Sequence, residues 1–255
     1  MMLILGGTSD SIQLAEELYG LEQTVIYSAA TDFGDITASK RFKGKRIYGR
    51  KSLDELEKTI IENNIKIIVD ATHPFAVNIS HNAISVCASL GLEYIRYERP
   101  TKQLSDDRII YFDNYDATGE YADNLKDGKI FITTGTNDIE KLIDRITDKN
   151  RIIARVLPIS ESIITLEGLG LNAENIIAMK GPFSEEMNYT MFKETGSEIL
   201  ISKDSGDQGG YQEKVRAAKR LNMKILVIRR PNIIYPNKFD SIEDVHKYVI
   251  NIMKA

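Results

Sequence analysis

The sequence predicts an α/β protein built from two Rossmann-like lobes, each a parallel sheet flanked by helices, with an inter-lobe cleft. Three observations carry this. Short β-branched runs alternate with helical patterns along the whole chain, the mark of βαβ units feeding a parallel sheet. Strand starts recur near Met2, Thr24, Arg46, Lys66 and Leu92, spaced 22, 22, 20 and 26 residues apart, and again near Lys129, Arg151, Asn175, Glu198 and Lys224, spaced 22, 24, 23 and 26. The fifth run of each series, Glu93 to Pro100 and Lys224 to Pro231, ends in Arg-Pro at an offset of 131 residues.

At about 150 residues per domain, 255 residues correspond to about 1.7 domains. The pattern resolves this into an N-terminal lobe over 1–100, a connection over 101–112 and a C-terminal lobe over 113–255. The connection is polar at first and closes on a further strand, Ile109 to Phe112, with a helical segment near Tyr115 to Leu125 beyond it. A final helix near Asp240 to Met253 presents Ile242, Val245, Val249, Ile252 and Met253 for core packing.

Composition excludes several function classes. The single cysteine, Cys87, rules out an intramolecular disulfide and Cys-rich zinc patterns. His73, His81 and His246 lack ligand spacing, so no metal site is expected. No basic leader precedes an apolar stretch and no apolar run reaches about 18 residues, so secretion and membrane spanning are not expected and a reducing cytoplasm is. A net charge of −4 opposes broad nucleic-acid binding but leaves room for a small polyanion met by a local basic cluster. Oligomeric state is open.

The first candidate site is Leu3-Ile-Leu-Gly6-Gly7-Thr8-Ser9-Asp10-Ser11, a strand breaking into glycine before the amphipathic run Ile12, Leu14, Ala15, Leu18. Glycines let backbone approach a phosphate, and a helix N-terminus favours an anion by about 0.3–1 kcal/mol. The turn departs from G-x-G-x-x-G, with Ser9 and Ile12 where later glycines would stand, which widens the gap to a pyrophosphate. At the end of the second strand, an acidic residue would hold ribose hydroxyls; Ser28 stands there, with Thr31 and Asp32 beyond it. Lys40, Arg41 and Arg50 could meet a 2′-phosphate, so NADPH and NADH both stay open.

After the fourth strand, Asp70-Ala-Thr72-His73-Pro74-Phe-Ala76 places Thr72 to cap a helix and Pro74 in its first turn, with Asp70, Thr72 and His73 at the carboxyl edge of the sheet. His81, two turns on, reads as a packing or surface residue. The second lobe offers Thr133-Thr134-Gly135-Thr136, Arg155-Val-Leu-Pro158, Lys180-Gly-Pro-Phe183 and Lys203-Asp204-Ser205-Gly206, each after a strand, with Arg155, Lys180 and Lys203 as cations on one rim. A charged hydrogen bond to a carboxylate contributes about 1.5–3 kcal/mol, so several such cations suit a polycarboxylate. The segment 203–210 is too rich in Gly and Asp to pack a core and reads as a loop over a ligand. No G-x-x-x-x-G-K-[ST], G-x-S-x-G or H-E-x-x-H occurs, which removes P-loop, hydrolase-elbow and zincin readings.

Taken in order, Leu5 to Asp10, Asp70 to Ala76, Arg96-Tyr-Glu-Arg-Pro100, Thr133 to Thr136, Arg155 to Pro158, Lys180 to Phe183, Lys203 to Gly206 and Arg229-Arg-Pro231 resemble the precorrin-6A reductases and their cobalt-precorrin-6A counterparts, over essentially the whole chain. The resemblance implies a cytoplasmic enzyme of corrin-ring synthesis with two Rossmann-like lobes. Such an enzyme reduces one macrocycle double bond, converting (cobalt-)precorrin-6A to (cobalt-)precorrin-6B with NADPH or NADH. On that basis Gly6, Gly7, Thr8, Ser9, Asp10, Ser28, Thr31, Arg50 and Thr72 are expected at the cofactor. Arg96, Arg99, Thr134, Gly135, Thr136, Arg155, Lys180, Lys203, Ser205 and Gly206 are expected at a polycarboxylate tetrapyrrole, and His73, Asp204 and Tyr211 are candidate proton donors. Two other readings share these lobes: a non-redox tetrapyrrole-modifying enzyme and a non-catalytic nucleotide-sensing protein.

Overall fold

A computed structural model describes residues 1–22, 24–100, 104–206 and 209–254. In chain order, the first elements are β1 (Met2–Leu5), α1 (Ser9–Glu22), β2 (Val25–Ala29), α2 (Asp32–Ser39), β3 (Lys45–Tyr48), α3 (Leu53–Glu62), β4 (Ile67–Asp70), α4 (Val77–Leu90) and β5 (Glu93–Tyr97). Then come β6 (Ile109–Phe112), α5 (Tyr115–Asn124), β7 (Lys129–Ile132), α6 (Ile139–Ile143), β8 (Ile152–Val156), α7 (Ser160–Gly168), β9 (Ile176–Ala178), α8 (Glu185–Glu194), β10 (Ser197–Lys203), α9 (Tyr211–Arg220) and β11 (Lys224–Ile228). The chain closes with β12 (Lys238–Phe239) and α10 (Ile242–Lys254).

Strands β1, β2, β8 and β11 are almost wholly buried, as expected of parallel strands covered by helices on both faces. Local signals set the helix ends. Ser52 and Glu55 close a capping box at the start of α3, and Gly91 in the left-handed region ends α4.

Two sheets result, ordered β12-β5-β4-β1-β2-β3 and β6-β11-β10-β7-β8-β9, with every pairing parallel. They correspond strand for strand, β1 to β7 through β5 to β11, and each adds an edge strand beside the fifth. Both reverse direction next to their first strand, between β1 and β4 and between β7 and β10. Such switch points are where open α/β sheets bind ligands, beyond the carboxyl ends of the strands.

The strand starts fall within one residue of the sequence expectation, but the division of the chain differs from it. One compact unit is Met1–Pro100 with Pro231–Ala255; the other is Thr101–Arg230. Residues 231–255 therefore belong with the first lobe and not with a continuous 113–255, while Ile109–Phe112, placed by the sequence in the connection, is an edge strand of the second sheet. The cause is non-local pairing. The Arg96 amide donates to the Asn237 carbonyl at 2.7 Å and that of Glu98 to Phe239 at 2.9 Å. Helix α10 does pack into a core, but it is the core of β1, β2 and α1, where Val245 and Val249 are fully buried. The repeated Arg-Pro pairs mark the two places where the chain changes units. Among the described residues no helix is long and apolar enough to cross a membrane.

Candidate functional site

In the first unit, the β1–α1 turn sits at the switch point and touches both neighbouring strands. The Gly6 amide donates to the Ser28 carbonyl at 2.8 Å, and the Thr8 hydroxyl donates to the Ala71 carbonyl at 3.3 Å. The two glycines differ. A Cβ on Gly6 would lie 2.3 Å from the Tyr27 ring, so Gly6 is set by close packing; Gly7 has φ +123° and a Cβ there would meet nothing within 4 Å. The amides of Gly7 and Thr8 both donate to the Ser11 hydroxyl (3.1 and 3.0 Å), and Tyr27 OH accepts from Gly7 at 2.9 Å. Ser11, the last residue of the sequence-based turn, given no role there, and Tyr27, absent from it, thus hold the turn. Their signal was a hydroxyl at the helix start and a tyrosine on an otherwise aliphatic strand.

Asp10, at the start of α1, pairs with Arg99, whose Nε also donates to Tyr97 OH at 3.1 Å. Ser28 is buried at the end of β2, and the Thr31 hydroxyl caps α2 by accepting from the Gly34 amide at 3.1 Å. Arg50 is exposed beyond β3, while Arg41, a candidate for a 2′-phosphate, pairs with Glu16.

Two expectations fail at the end of β4. Thr72 does not cap α4, which begins at Val77 behind Ala76 with no side-chain cap. Its amide and hydroxyl instead donate to Asp70 Oδ1 at 3.1 and 2.6 Å. Nor is Arg96 a surface cation. It is 0% exposed, its Nη1 donates to Asp70 Oδ1 and its Nη2 to Glu98 Oε2, both at 2.8 Å, and Glu98 is met on its other oxygen by Lys238 at 2.7 Å. Asp70 Oδ2 accepts from Ser80 (2.6 Å) and Tyr94 OH (2.8 Å), so one carboxylate collects five donors. Burial would raise the Glu98 carboxyl, but the hydrogen bonds and charges of Lys238 and Arg96 outweigh it and hold Glu98 below its ordinary range. A buried guanidinium needs such partners, because removing it from water costs several kcal/mol. The strand-end loop carrying His73, half-buried with Nδ1 accepting from the Phe75 amide at 3.3 Å, is anchored on this network.

In the second unit, the turn after β7 carries Thr134, which is buried, Gly135 at φ +73° with open space at its Cβ position, and Thr136. At the end of β10 on the same switch point lies Lys203 and just beyond it Asp204, both buried, then half-buried Ser205 and Gly206. Part of the loop over 203–210, residues 207 and 208, lies outside the described residues. The Tyr211 OH stands 3.4 Å from Tyr111 OH; burial, then that contact, pushes its phenol well above the ordinary value.

Of the three cations expected on one rim, two are buried. Lys180 is exposed after β9. Arg155 is 7% exposed, held by Asn188 Oδ1 at 2.8 Å and Met191 Sδ at 3.3 Å, with its guanidinium 4.0 Å from the Phe183 ring centre and 5.5 Å from that of Phe131. Burial lowers it to about 10. Lys203, 8% exposed, has its ammonium 5.6 Å from the centre of the Tyr115 ring, and burial lowers it to about 8. Lys214, on α9 and 6% exposed, was missed; its signal was a lysine within the apolar stripe Tyr211, Val215, Ala218.

Comparison with known proteins gives the family and the fold. The family model described as "Precorrin-6x reductase CbiJ/CobK" matches residues 1–250. The chain is 38% identical to a cobalt-precorrin-6A reductase of Methanocaldococcus jannaschii and 34% identical to one of Priestia megaterium, in both cases over 98% of each chain. The solved structure titled "CobK precorrin-6A reductase" shares the fold, with a TM-score of 0.81 at 20% identity over 98% of this chain and 96% of that one. With a family model spanning nearly all of its length and a relative at 38% identity, this chain belongs to the precorrin-6x reductase family.

Proposed function

We propose that the protein reduces one double bond of the (cobalt-)precorrin-6A macrocycle, giving (cobalt-)precorrin-6B, with NADPH or NADH as hydride donor. The observation that carries this reading is the 38% identity to a cobalt-precorrin-6A reductase over 98% of both chains. The donor set of the first unit fits a dinucleotide. Gly7 offers open space above a turn at a helix start, and Ser9, Asp10, Ser28, Thr31, Arg50 and Thr72 lie at the carboxyl ends of adjacent strands.

When bound, the nicotinamide supplies the hydride. The chain's own work is to hold the macrocycle, orient it and deliver a proton. The macrocycle's acetate and propionate groups would meet Arg155, Lys180 and Lys203 of the second unit, with Thr134, Gly135, Thr136, Ser205 and Gly206 of the same unit beside them. Arg96 acts from inside, by fixing the loop that presents Thr72 and His73. His73, Asp204 and Tyr211 are the candidate proton donors, and Tyr211 keeps its proton at neutral pH because burial favours the neutral phenol.

The test is loss of reduced-nicotinamide absorbance on adding precorrin-6A or its cobalt form. Oxidation with one of the two cofactors is expected; none with either would overturn the reading. Cofactor binding without turnover would instead favour a sensing protein, and no cofactor binding a non-redox modifying enzyme.

A further inference from the structure

Helix α9 divides its charges in an unusual way. On its outer side Arg216 pairs with Glu185 and Glu213 at 2.9 Å, and Arg220 pairs with Glu185 at 3.2 Å and also with Glu186. Glu185, Glu186 and Glu213 are therefore spent on exposed arginines. On the inner side Lys214 is buried near Arg155 and Lys203, and among the described residues neither Lys214 nor Arg155 forms an ion pair. Two cations on two elements, each more than nine-tenths buried, share one region with no ion-pair partner among the described residues, an arrangement that an arriving anion or a departing proton relieves.

The surroundings of Arg155 are fixed as for a receptor. The Asn188 amide nitrogen donates to the carbonyls of Ser184 (2.8 Å) and Phe183 (3.3 Å), which obliges its oxygen to face Arg155. Both cations stand at the carboxyl end of the sheet, Arg155 as the penultimate residue of β8 and Lys214 as the fourth residue of the helix that follows β10.

We propose that Arg155 and Lys214 form the seat of one carboxylate of the tetrapyrrole substrate, and that Lys214 takes up a proton as that carboxylate arrives. This rests on the reading above only in taking the ligand to be a polycarboxylate tetrapyrrole. The charged groups acting on Lys214 are Arg155 from β8 and Lys203 from β10, which disfavour its proton, and Glu213 of its own helix, which favours it. From α8 the neutral Asn188 and Met191 face Arg155, and β11 is apolar at its buried positions; Asp204 acts on Tyr211. Burial, then the two cations, brings Lys214 down to about 7 in the free protein. A carboxylate raises it again, so binding consumes a proton above that pH and affinity falls by up to tenfold per pH unit.

The experiment titrates the full-length protein with uroporphyrin, an octacarboxylate tetrapyrrole, by calorimetry at pH 8 in two buffers of different ionisation enthalpy. Wild type is expected to take up a substantial fraction of one proton. K214M should bind about 10- to 100-fold more weakly, that being the effect of one charged hydrogen bond, and take up fewer protons than wild type, Lys203 supplying what remains. K214R, charged at every pH, should retain affinity but lose the same part of the proton uptake and flatten the fall in affinity between pH 7 and 8. Unchanged affinity in K214M, or uptake as large as in wild type in either variant, overturns the proposal. The two readings fail separately. Lys214-dependent uroporphyrin binding without reductase turnover sinks the activity and keeps the seat, whereas turnover with a KM indifferent to K214M sinks the seat and keeps the activity.

Discussion

Gly6 and Gly7 are neighbours under opposite constraints. Tyr27 is fully buried and its hydroxyl is held by Gly7 and Ser11, so its ring cannot yield the space that a Cβ on Gly6 would need. Gly6→Ala should cost about 1–3 kcal/mol, the range for overpacking a tight core, and lower the urea midpoint. Gly7→Ala meets no atom but forces an alanine to φ +123°, which costs about 1–3 kcal/mol. Because its methyl projects into the space assigned to the dinucleotide, it should also weaken NADPH or NADH binding by tenfold or more in a fluorescence titration, and unchanged cofactor affinity would sink that assignment. Asp70 is a sharper case. Its two oxygens receive Thr72, Arg96, Ser80 and Tyr94, so an amide there must turn its NH2 toward a set of donors whichever way it faces. Asp70→Asn should lose about 3–5 kcal/mol in urea melts, as expected when a buried cation is left with a weaker partner set. Combining it with Arg96→Met should recover part of that loss, because removing both charges ends the imbalance; simple additivity would show that the two side chains are not coupled.

At the scale of elements, what could be read from the sequence was whatever is local. Each buried parallel strand is a continuous apolar run closed by turn residues, and such runs gave the starts of β1, β2, β4, β5, β7 and β11 to within a residue. Helix α4 shows the limit of this logic. Thr72 followed by Pro74 is a sound local signature of a helix start, but Asp70 and Arg96 compete for the same hydroxyl, and a buried ion pair outweighs a cap contributing about 1 kcal/mol. The same competition hid the role of Arg96. An arginine at a strand end reads as a rim cation until its neighbours across the sheet, Asp70 on β4 and Glu98 beyond β5, are known. Lys214 escaped for the converse reason: in sequence it looks like one more lysine of a charged helix, and only packing shows that it lies on the inner face while Arg216 and Arg220 take the acids outside.

At the scale of the molecule, the second unit is an insertion between β5 and β12 of the first, and this has a consequence for folding. The first sheet gains its sixth strand, the Lys238–Glu98 pair and helix α10 only from residues that follow the second unit. Burying Val245 and Val249 alone is worth about 1.5–3 kcal/mol each, and Ile242, Tyr248 and Ile252 pack beside them. Against a typical domain stability of about 5–15 kcal/mol, losing α10 and β12 removes most of the margin. Residues 1–100 alone should therefore be unfolded or molten by circular dichroism and urea titration. The same residues joined to 231–255 through a short glycine-serine linker should unfold cooperatively, and so should 101–230, whose core of Phe131, Phe192, Leu200, Val215 and Ile225 is made wholly from its own chain. If 1–100 melts with the same midpoint as the linked form, α10 is an ornament on an already complete lobe and the discontinuous architecture carries no energetic weight. If it melts only when α10 is restored, the final helix is part of the first core, and the β1–α1 turn at Gly6 and Gly7 depends on a segment more than 200 residues away in sequence.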